Sequence, residues 1–336
     1  LGSGNFALAL SSVISRNGYP CTILCRDSTT ASHINAHHSH PKYMRDLHLP
    51  PKVTATADPA KALSDATFVV HAVPVQYSRA FLESVAPHIK SGTPVLSASK
   101  GIEVTSLGFM QDILTEVLGD RRSYAFLSGP SFAREIMEQQ VTSVVIASSD
   151  RQLAEDLADV FGSSVFRAYT SQDVVGVEVG GSVKNVIALA AGMCEGLGLG
   201  TNAMSGLVTR GCAEMRRLGL YLGAEPTTLA GLSGVGDTFG TCFGPLSRNR
   251  NVGIRIGKGE SLEDIRRDMS EVAEGVETAG ALVELIKKRN KGYRLDLKYP
   301  IIFGVKDILD GDLDAREGLE GLMRMKLRME SYEATH

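Results

Sequence analysis

Short apolar runs rich in β-branched residues alternate with amphipathic stretches over residues 1–168. Runs of this kind are typical of buried strands, and the stretches between them have helical periodicity. This alternation predicts a largely parallel sheet with helices on both faces. The predicted strands are 21–25, 53–57, 66–73, 94–97, 124–127, 142–147 and 165–169; the predicted helices are 7–16 and 59–63; and 33–48 is expected to be polar and irregular.

The pattern changes near Ser171, where strand signals fade and long helical periodicities begin. We therefore predict an α/β Rossmann-type N-terminal domain over 1–170, followed by a mainly α C-terminal domain over 171–336. The helices predicted in the second domain are 183–194, 202–221, 228–232, 262–268, 276–288 and 299–309.

The charge balance and the cysteines restrict the possible partners. The 336 residues carry a formal net charge of −3, so no global basic field is present to attract nucleic acid. No run approaches the roughly 18–20 uncharged apolar residues of a membrane span, and we expect no membrane partner. The five scattered cysteines favour reduced thiols over a disulfide framework.

A glycine-rich segment opens the chain. Gly2 permits a tight turn, Gly4 allows close approach of backbone to a pyrophosphate, and Ala7 allows close helix packing. The predicted helix that follows offers its N-terminal N–H groups to phosphate. Such a loop normally follows a buried strand, and Leu1 stands in its place. We therefore expect the first strand to be missing and the chain to be a fragment or a trimmed form.

Arg26 and Asp27 follow the predicted strand 21–25 and bear on the choice of cofactor. A carboxylate at this point favours a free ribose 2′-hydroxyl, whereas an arginine accepts a 2′-phosphate. Because both residues are present, NAD is preferred and NADP stays possible.

Two segments that follow strands could face a ligand in the first domain. Lys100 comes after the strand 94–97, at the sheet edge where open α/β folds bind ligands. The turn 128–133, Ser-Gly-Pro-Ser-Phe-Ala, suits backbone running beside a flat ring. The plainer alternatives are a surface lysine and an ordinary turn.

Lys184 lies inside an apolar helical run of the second domain. A buried lysine is costly unless it is paired or functional, and desolvation suits it to proton transfer. Asp237 follows the glycines of 234–236 on a flexible turn and could orient a lysine and a substrate hydroxyl. A lysine that snorkels to the surface and a simple helix cap are the alternatives.

The segment 247–250, Ser-Arg-Asn-Arg, clusters two guanidinium groups beside an amide. The planar fork of arginine matches phosphate oxygens, although a solvated basic turn would have the same composition. The histidines of 33–48 include an i, i+4 pair, His33 and His37, but no carboxylate or cysteine set completes a metal site. We expect no metal.

In their order, these segments resemble the NAD-dependent glycerol-3-phosphate dehydrogenase family, from Gly2 to about Leu322. The most specific stretches are 71–74, 99–101, 127–133, 183–185, 234–237, 246–250 and 272–276. The sequences of 71–76 and 226–236 are most similar to those of the plastid forms of plants and algae. The family commonly has Gly-Thr where this chain has Ala7-Leu8.

The resemblance implies hydride transfer between a nicotinamide dinucleotide and a small phosphorylated substrate, dihydroxyacetone phosphate or sn-glycerol 3-phosphate, in support of glycerolipid synthesis. It implies catalytic roles for Lys184, Lys100 and Asp237. The implied cofactor residues are Gly2, Gly4, Asn5, Phe6, Arg26, Lys100, Ala133, Arg248, Val272 and Glu274. The implied substrate residues are Lys100, Gly129, Ser131, Lys184, Asn185, Asp237, Thr241, Ser247, Arg248 and Asn249.

The resemblance further implies a homodimer and a chloroplast location, with the cytoplasm as the alternative. Two other functions stay open. A 3-hydroxyacid dehydrogenase shares the loop and the helical lysine but does not explain 247–250 as a phosphate clamp. A non-catalytic dinucleotide sensor leaves Lys184 without a purpose.

Overall fold

The computed structural model describes residues 1–269, 273–290 and 292–325, which form two compact units. Unit 1 comprises Leu1–Lys100 and Gly108–Glu178, and unit 2 comprises Gly101–Leu107 and the chain from Val179 onwards. The boundary between the units falls inside one long helix, after Glu178.

Unit 1 alternates strands with helices, as the apolar runs predict. Its elements in chain order are α1 (Asn5–Arg16), β1 (Cys21–Leu24), α2 (Ser28–His37), β2 (Val53–Thr56), α3 (Pro59–Leu63), β3 (Val69–His71), α4 (Val75–Val85), a 3₁₀ turn (Ala86–His88), β4 (Val95–Ser97), α5 (Met110–Leu118), β5 (Tyr124–Ser128), α6 (Ala133–Met137), β6 (Thr142–Ala147), α7 (Arg151–Phe161), β7 (Phe166–Ser171) and the start of α8 (Val174–Gly196).

The strands form a parallel pair, β1–β2, and a five-stranded sheet in the order β3-β4-β5-β6-β7. All neighbours in the larger sheet are parallel except β5 and β6, which run antiparallel. Leu1 and Gly2 connect the two sheets through backbone hydrogen bonds. Gly2 N–H donates to Leu24 O at 3.2 Å, and Ala72 N–H donates to Leu1 O at 3.1 Å.

Two apolar cores hold unit 1 together. One packs α1 and α7 against β1, β5 and β6, with Leu8, Leu127 and Phe161 among its buried side chains. The other packs α4 and α5 against β3 and β4, around Leu82, Val95 and Ile113. The sheet is therefore covered by helices on both faces, which explains why its central strands β4 and β5 are buried along their whole length.

The prediction that 33–48 is irregular throughout is wrong for its first part, because α2 extends to His37. Asp27 starts this helix by accepting a hydrogen bond from Thr30 N at 2.7 Å, and His38 ends it in the left-handed region at φ 48°. The polar sequence hides the helix because only Ala31 and Ile34 are buried. Residues 38–50 have no regular element.

Unit 2 is helical in the part of the chain that the structure describes. It contains most of α8, then α9 (Gly200–Leu222), α10 (Pro226–Ala230), a π-helical turn (Leu232–Gly236), α11 (Asp237–Phe243), α12 (Arg248–Gly257), α13 (Leu262–Asp268), α14 (Glu274–Arg289), α15 (Leu295–Lys298), α16 (Pro300–Asp310) and α17 (Ala315–Arg324).

Helix α8 begins at Val174, nine residues before the prediction, and is apolar on all sides. By length and composition alone it could cross a membrane, but 89% of its most apolar 18-residue window is buried inside the structure. It also carries Glu178, Lys184 and Glu195. A helix that is apolar all round and buried in this way is the core of a helical domain.

Glycines bring α12 directly against α8. A Cβ built on Gly192 would lie 2.1 Å from Arg250 O, and one on Gly253 would lie 2.1 Å from Leu189 O. Real Cβ atoms never approach backbone so closely, so these positions require glycine. The contact holds the first turn of α12 beside the middle of α8, where Lys184 and Asn185 are located.

Candidate active site

A buried ion pair is the centre of the candidate site in unit 2. Lys184 Nζ lies 2.6 Å from Asp237 Oδ1 and 3.0 Å from Thr241 Oγ1. The side chains of Lys184 and Asp237 are only 10% and 4% exposed. The Thr241 hydroxyl donates to the backbone carbonyl of Asp237 at 2.6 Å, which leaves its oxygen to accept from the ammonium group.

The local fold explains how Asp237 reaches the lysine. It is the first residue of α11 and follows the π-helical turn, so it does not sit on the flexible turn that the glycines predict. A Cβ on Gly180 would lie 2.6 Å from Ser233 O, and the absence of one lets this turn approach α8. Gly180 is one helical turn before Lys184. Single π-helical turns are frequent at functional sites.

Burying this ion pair costs free energy, so a purely structural role does not explain why it is there. Desolvating two charges costs several kcal/mol per ion, and an apolar pair of similar volume often stabilises a protein as well or better. The Asp237 carboxylate fixes the ammonium group in position and favours its charged form. Such a group can donate a proton to a developing alkoxide.

An amide network lies next to the ion pair. Asn249 Nδ2 donates to Asn185 Oδ1 at 2.9 Å, and Asn249 Oδ1 accepts from Gly275 N–H at 2.9 Å. Asn185 and Asn249 are both buried. The network connects α8, α12 and α14, so the predicted substrate residues Asn185 and Asn249 are brought together.

The first turn of α12 carries the predicted phosphate cluster. Ser247 is buried and its hydroxyl caps the helix by accepting from Arg250 N–H at 3.2 Å. Arg250 pairs with Glu195 at 2.7 Å and is partly buried, and Arg248, which also makes an interaction of its own, is exposed. The guanidinium group of Arg248 is therefore the more accessible of the two to an incoming phosphate.

In unit 1, the glycine-rich segment has the shape that a dinucleotide requires. A Cβ on Gly2 would lie 2.9 Å from Ala72 O, whereas one on Gly4 would meet nothing within 4 Å. Helix α1 starts at Asn5 without a side-chain cap and without an acidic residue in its first turn. Its N-terminal N–H groups can therefore donate hydrogen bonds to a pyrophosphate, so the segment fits a nicotinamide dinucleotide. Phe6 packs against the core below.

Arg26 and Asp27, the two residues at the end of β1 that bear on cofactor choice, differ in their contacts. Both carboxylate oxygens of Asp27 are engaged by Thr30, one by its N–H and the other by its hydroxyl, at 2.7 and 3.0 Å. These bonds also hold the pKa of Asp27 below its usual range. Arg26 is exposed and makes no hydrogen bond or ion pair with any residue that the structure describes.

A second group of predicted residues meets in unit 1. Gly129 follows β5 with φ 126°, and its carbonyl accepts from Lys100 Nζ at 3.3 Å and from Ser131 Oγ at 2.8 Å. A Cβ on Gly129 would lie 3.0 Å from Val144 Cα. Lys100, Gly129 and Ser131 are therefore one cluster in unit 1, and the remaining predicted substrate residues form another in unit 2.

Two predicted cofactor residues are the first residues of helices, and a third is not described. Ala133 is the first residue of α6, Glu274 is the first residue of α14, and Val272 falls outside the described residues. Gly180 and Gly275 are not among the site residues predicted from the sequence. A lone glycine within or at the start of a helix is nevertheless a signal of close backbone approach.

No group of three or more metal-binding side chains occurs in 1–269, 273–290 and 292–325. The rings of His33 and His37 lie close together, with centroids 4.5 Å apart and planes tilted by 48°, as their spacing on α2 allows.

Family models and known proteins agree on one relationship for this chain. The model described as NAD-dependent glycerol-3-phosphate dehydrogenase N-terminus matches residues 1–154, and the model described as the C-terminus of the same family matches residues 173–320.

Relatives and solved structures resemble nearly the whole chain. It is 44% identical to glycerol-3-phosphate dehydrogenase [NAD(+)] 2, chloroplastic, of Arabidopsis thaliana over 97% of its own length and 77% of the relative. It is 43% identical to glycerol-3-phosphate dehydrogenase [NAD(P)+] of Nitratidesulfovibrio vulgaris, covering 98% of both chains. The crystal structure of glycerol-3-phosphate dehydrogenase from Coxiella burnetii matches with a TM-score of 0.90 at 30% identity, over 96% of this chain and 97% of that one.

Proposed function

Since the chain belongs to the NAD-dependent glycerol-3-phosphate dehydrogenase family and is an oxidoreductase that interconverts dihydroxyacetone phosphate and sn-glycerol 3-phosphate with NAD(H), we propose how its residues carry out that reaction. The observation that carries the proposal is the buried Lys184–Asp237 ion pair with Thr241 as its third member.

Lys184 is the proton donor in the direction of reduction. Bound NAD(P)H supplies the hydride that reaches the C2 carbonyl. The oxygen of that carbonyl gains negative charge, and Lys184 Nζ stabilises it and then donates a proton to it. Asp237 and Thr241 hold the ammonium group in place. The positive charge of Lys100 further stabilises the negative charge that develops on the substrate oxygen. Lys100 also takes part in both substrate and cofactor binding.

The substrate phosphate is held by the first turn of α12. Arg248 offers the planar fork that matches a phosphate dianion, and Asn249 and the backbone near Ser247 add hydrogen bonds. A protein with a net charge of −3 needs such a local clamp for an anionic substrate. Asn185, Gly129 and Ser131 complete the set of proposed substrate residues.

The dinucleotide is held by unit 1 through the glycine-rich segment. Gly2, Gly4, Asn5 and Phe6 form the pyrophosphate site at the start of α1. The further proposed cofactor residues are Arg26, Lys100, Ala133, Arg248, Val272 and Glu274.

The geometry at the end of β1 supports acceptance of NADP(H) beside NAD(H). Asp27 already accepts one hydrogen bond on each carboxylate oxygen at the start of α2, which leaves it fewer acceptor sites for a ribose 2′-hydroxyl. Arg26 can pair with a 2′-phosphate.

We further propose the domain limits 1–170 and 171–336, with most of the proposed dinucleotide residues in the first domain and most of the proposed substrate residues in the second. The protein is a homodimer that supplies glycerol 3-phosphate to glycerolipid synthesis. Similarity to the chloroplastic plant relative supports a plastid location, and the bacterial relative at nearly the same identity supports the cytoplasm as the alternative.

Steady-state oxidation of NADH and NADPH, with dihydroxyacetone phosphate compared with dihydroxyacetone, tests the proposed chemistry. We expect turnover with the phosphorylated ketone and a kcat/KM at least about 100-fold lower without the phosphate, because charge-assisted hydrogen bonds contribute about 1.5–3 kcal/mol each. Equal rates with both ketones would favour a dehydrogenase without a phosphate clamp. Dinucleotide binding without any turnover would identify a sensor.

A further inference from the structure

The amide of Asn249 is held in one orientation by a single contact from α14. Gly275 N–H, in the first turn of that helix, points at Asn249 Oδ1 from 2.9 Å. Turning the amide over would put Nδ2 against this N–H, and two donors would face each other. The contact therefore assigns the oxygen of Asn249 to α14 and its nitrogen to the opposite side.

The nitrogen of this amide has two N–H groups with different surroundings. One donates to Asn185 Oδ1 at 2.9 Å. The other makes no hydrogen bond to any residue in the described ranges 1–269, 273–290 and 292–325. Asn249 directly follows Arg248, the proposed phosphate ligand, in the first turn of α12. Arg248 is exposed there. The second N–H group of Asn249 therefore lies on the same helical turn as the proposed phosphate ligand.

The position of Gly275 leaves no room for a side chain. A Cβ there would lie 2.7 Å from Asn249 Oδ1 and 2.8 Å from Asn185 O. The Asn185 carbonyl belongs to the middle of α8 and cannot retreat without disturbing that helix. The side chain of Asn249 would have to move instead, and its hydrogen bond to Asn185 would be lost.

We infer that Gly275 is a positioning residue for substrate binding: its N–H and its missing side chain orient the Asn249 amide so that Nδ2 donates to the substrate phosphate. This inference rests on the proposed function, because it assumes that Asn249 contacts the phosphate. Gly275 itself does not contact the substrate.

Alanine substitution tests the inference, with a matched glycine as control. Gly280 lies on the same helix, and a Cβ there would meet nothing within 4 Å. For Gly275→Ala we expect the KM for dihydroxyacetone phosphate to rise about 10–100-fold, the range for losing a hydrogen bond to a charged group. The dissociation constant for NADH should change less than about twofold, and Gly280→Ala should behave as the wild type does.

A double-mutant cycle separates positioning from general damage. In an Asn249→Ala background, Gly275→Ala should raise the KM by less than about twofold, because the amide that it orients is already absent. Independent, multiplicative effects of the two substitutions would overturn the inference, as would a Gly275→Ala variant with the KM of Gly280→Ala. Absence of turnover by the wild type would instead overturn the proposed function, and this inference with it.

A second comparison does not need Gly275→Ala to fold. Asn249→Asp keeps an oxygen for the Gly275 N–H but removes both N–H groups of the amide. We expect its KM to rise at least as far as that of Asn249→Ala, because the carboxylate offers no N–H group and repels the substrate phosphate. A KM for Asn249→Asp equal to that of the wild type would show that no N–H group of residue 249 is needed to bind the phosphate, and would overturn the inference.

Discussion

At the scale of single residues, cofactor choice depends on which of two neighbours is available. Asp27 and Arg26 are both exposed at the end of β1, but Thr30 engages only Asp27. A helix cap contributes about 0.5–2 kcal/mol to stability, so Asp27 leaves α2 only at a cost. We therefore expect the arginine to be the residue that meets the adenosine ribose.

We predict that Arg26→Ala lowers kcat/KM for NADPH by about 10–100-fold and changes that for NADH by less than about threefold, because only NADPH carries a 2′-phosphate. Steady-state kinetics with both dinucleotides measure this difference. Arg121→Ala is the matched control, since Arg121 is an exposed arginine before β5, at its amino end. Equal losses with both dinucleotides would contradict the role given to Arg26.

Single residues also mark the limit of prediction from the sequence. Lys184 stands out because a charge inside an apolar helical run is costly, and the structure buries it as expected. The engagement of Asp27 by Thr30 has no comparable signal, since both residue types are ordinary near a helix start. Gly275 has only a weak signal, because its need for glycine comes from Asn249 and Asn185, distant in the chain.

At the scale of elements, α16 shows how a buried carboxylate can hold a helix in unit 2. Glu214 on α9 is buried and accepts from Ile301 N–H at 2.9 Å and Ile302 N–H at 3.1 Å. These groups are among the N-terminal donors of α16 that no helix can satisfy internally. Burial raises the pKa of Glu214 to about 7, although the two N–H groups lower it.

This shift makes stability depend on pH in a defined direction. The folded protein binds the Glu214 proton more tightly than the unfolded chain does, so the stabilisation is full below the unfolded pKa, near 4.5, and is lost as the pH rises through about 7. Relative to Glu214→Gln, which cannot ionise, the wild type should therefore lose stability between pH 5 and pH 8, by roughly 1–3 kcal/mol.

Chemical denaturation of both proteins at pH 5 and pH 8 measures that loss. Glu320→Gln makes the same chemical change at an exposed carboxylate of α17 and provides the reference. If the difference in unfolding free energy between wild type and Glu214→Gln were the same at both pH values, Glu214 would not titrate as described.

Periodicity predicts the strands and the helices α1, α3, α8, α9, α10, α13, α14 and α16, whereas it predicts no range for α2, α4, α5, α6, α7, α11, α12, α15 and α17. The predicted strands are all present with boundaries shifted by a few residues, since continuous apolar runs are what a sheet covered on both faces requires. Helix α2 was not predicted, because a largely exposed helix has no apolar stripe. Helix α8 begins earlier than its apolar run, because Gly176, Gly180 and Gly181 dilute the pattern; of these, Gly180 packs closely against Ser233 O.

At the scale of the whole molecule, the proposed dinucleotide-binding residues and the proposed proton donor lie in different units. Unit 1 carries the glycine-rich segment and Arg26, which bind the dinucleotide in this account, and unit 2 carries Lys184 and the first turn of α12. The order of the motifs along the chain indicates this division, because the dinucleotide segment precedes all others. The partners of each side chain depend on tertiary packing and are visible only in the structure.

If Lys184 donates the proton and unit 1 binds the dinucleotide, removing the ion pair should slow the reaction without weakening NADH binding. The double variant Lys184→Met with Asp237→Asn removes the proton donor without leaving an unpaired buried charge, which would cost about 3–5 kcal/mol. The same two substitutions at Lys306 and Asp310, an ion pair one helical turn apart on α16, are the matched control.

Single-turnover oxidation of bound NADH at saturating dihydroxyacetone phosphate, with the NADH dissociation constant measured on the same samples, is the most direct test. We predict that the Lys184/Asp237 variant reacts about 10²–10⁴-fold more slowly than the wild type and binds NADH within about twofold of it, while the control matches the wild type in both. A near-wild-type rate, or a loss of NADH affinity as large as the loss of rate, would contradict the account.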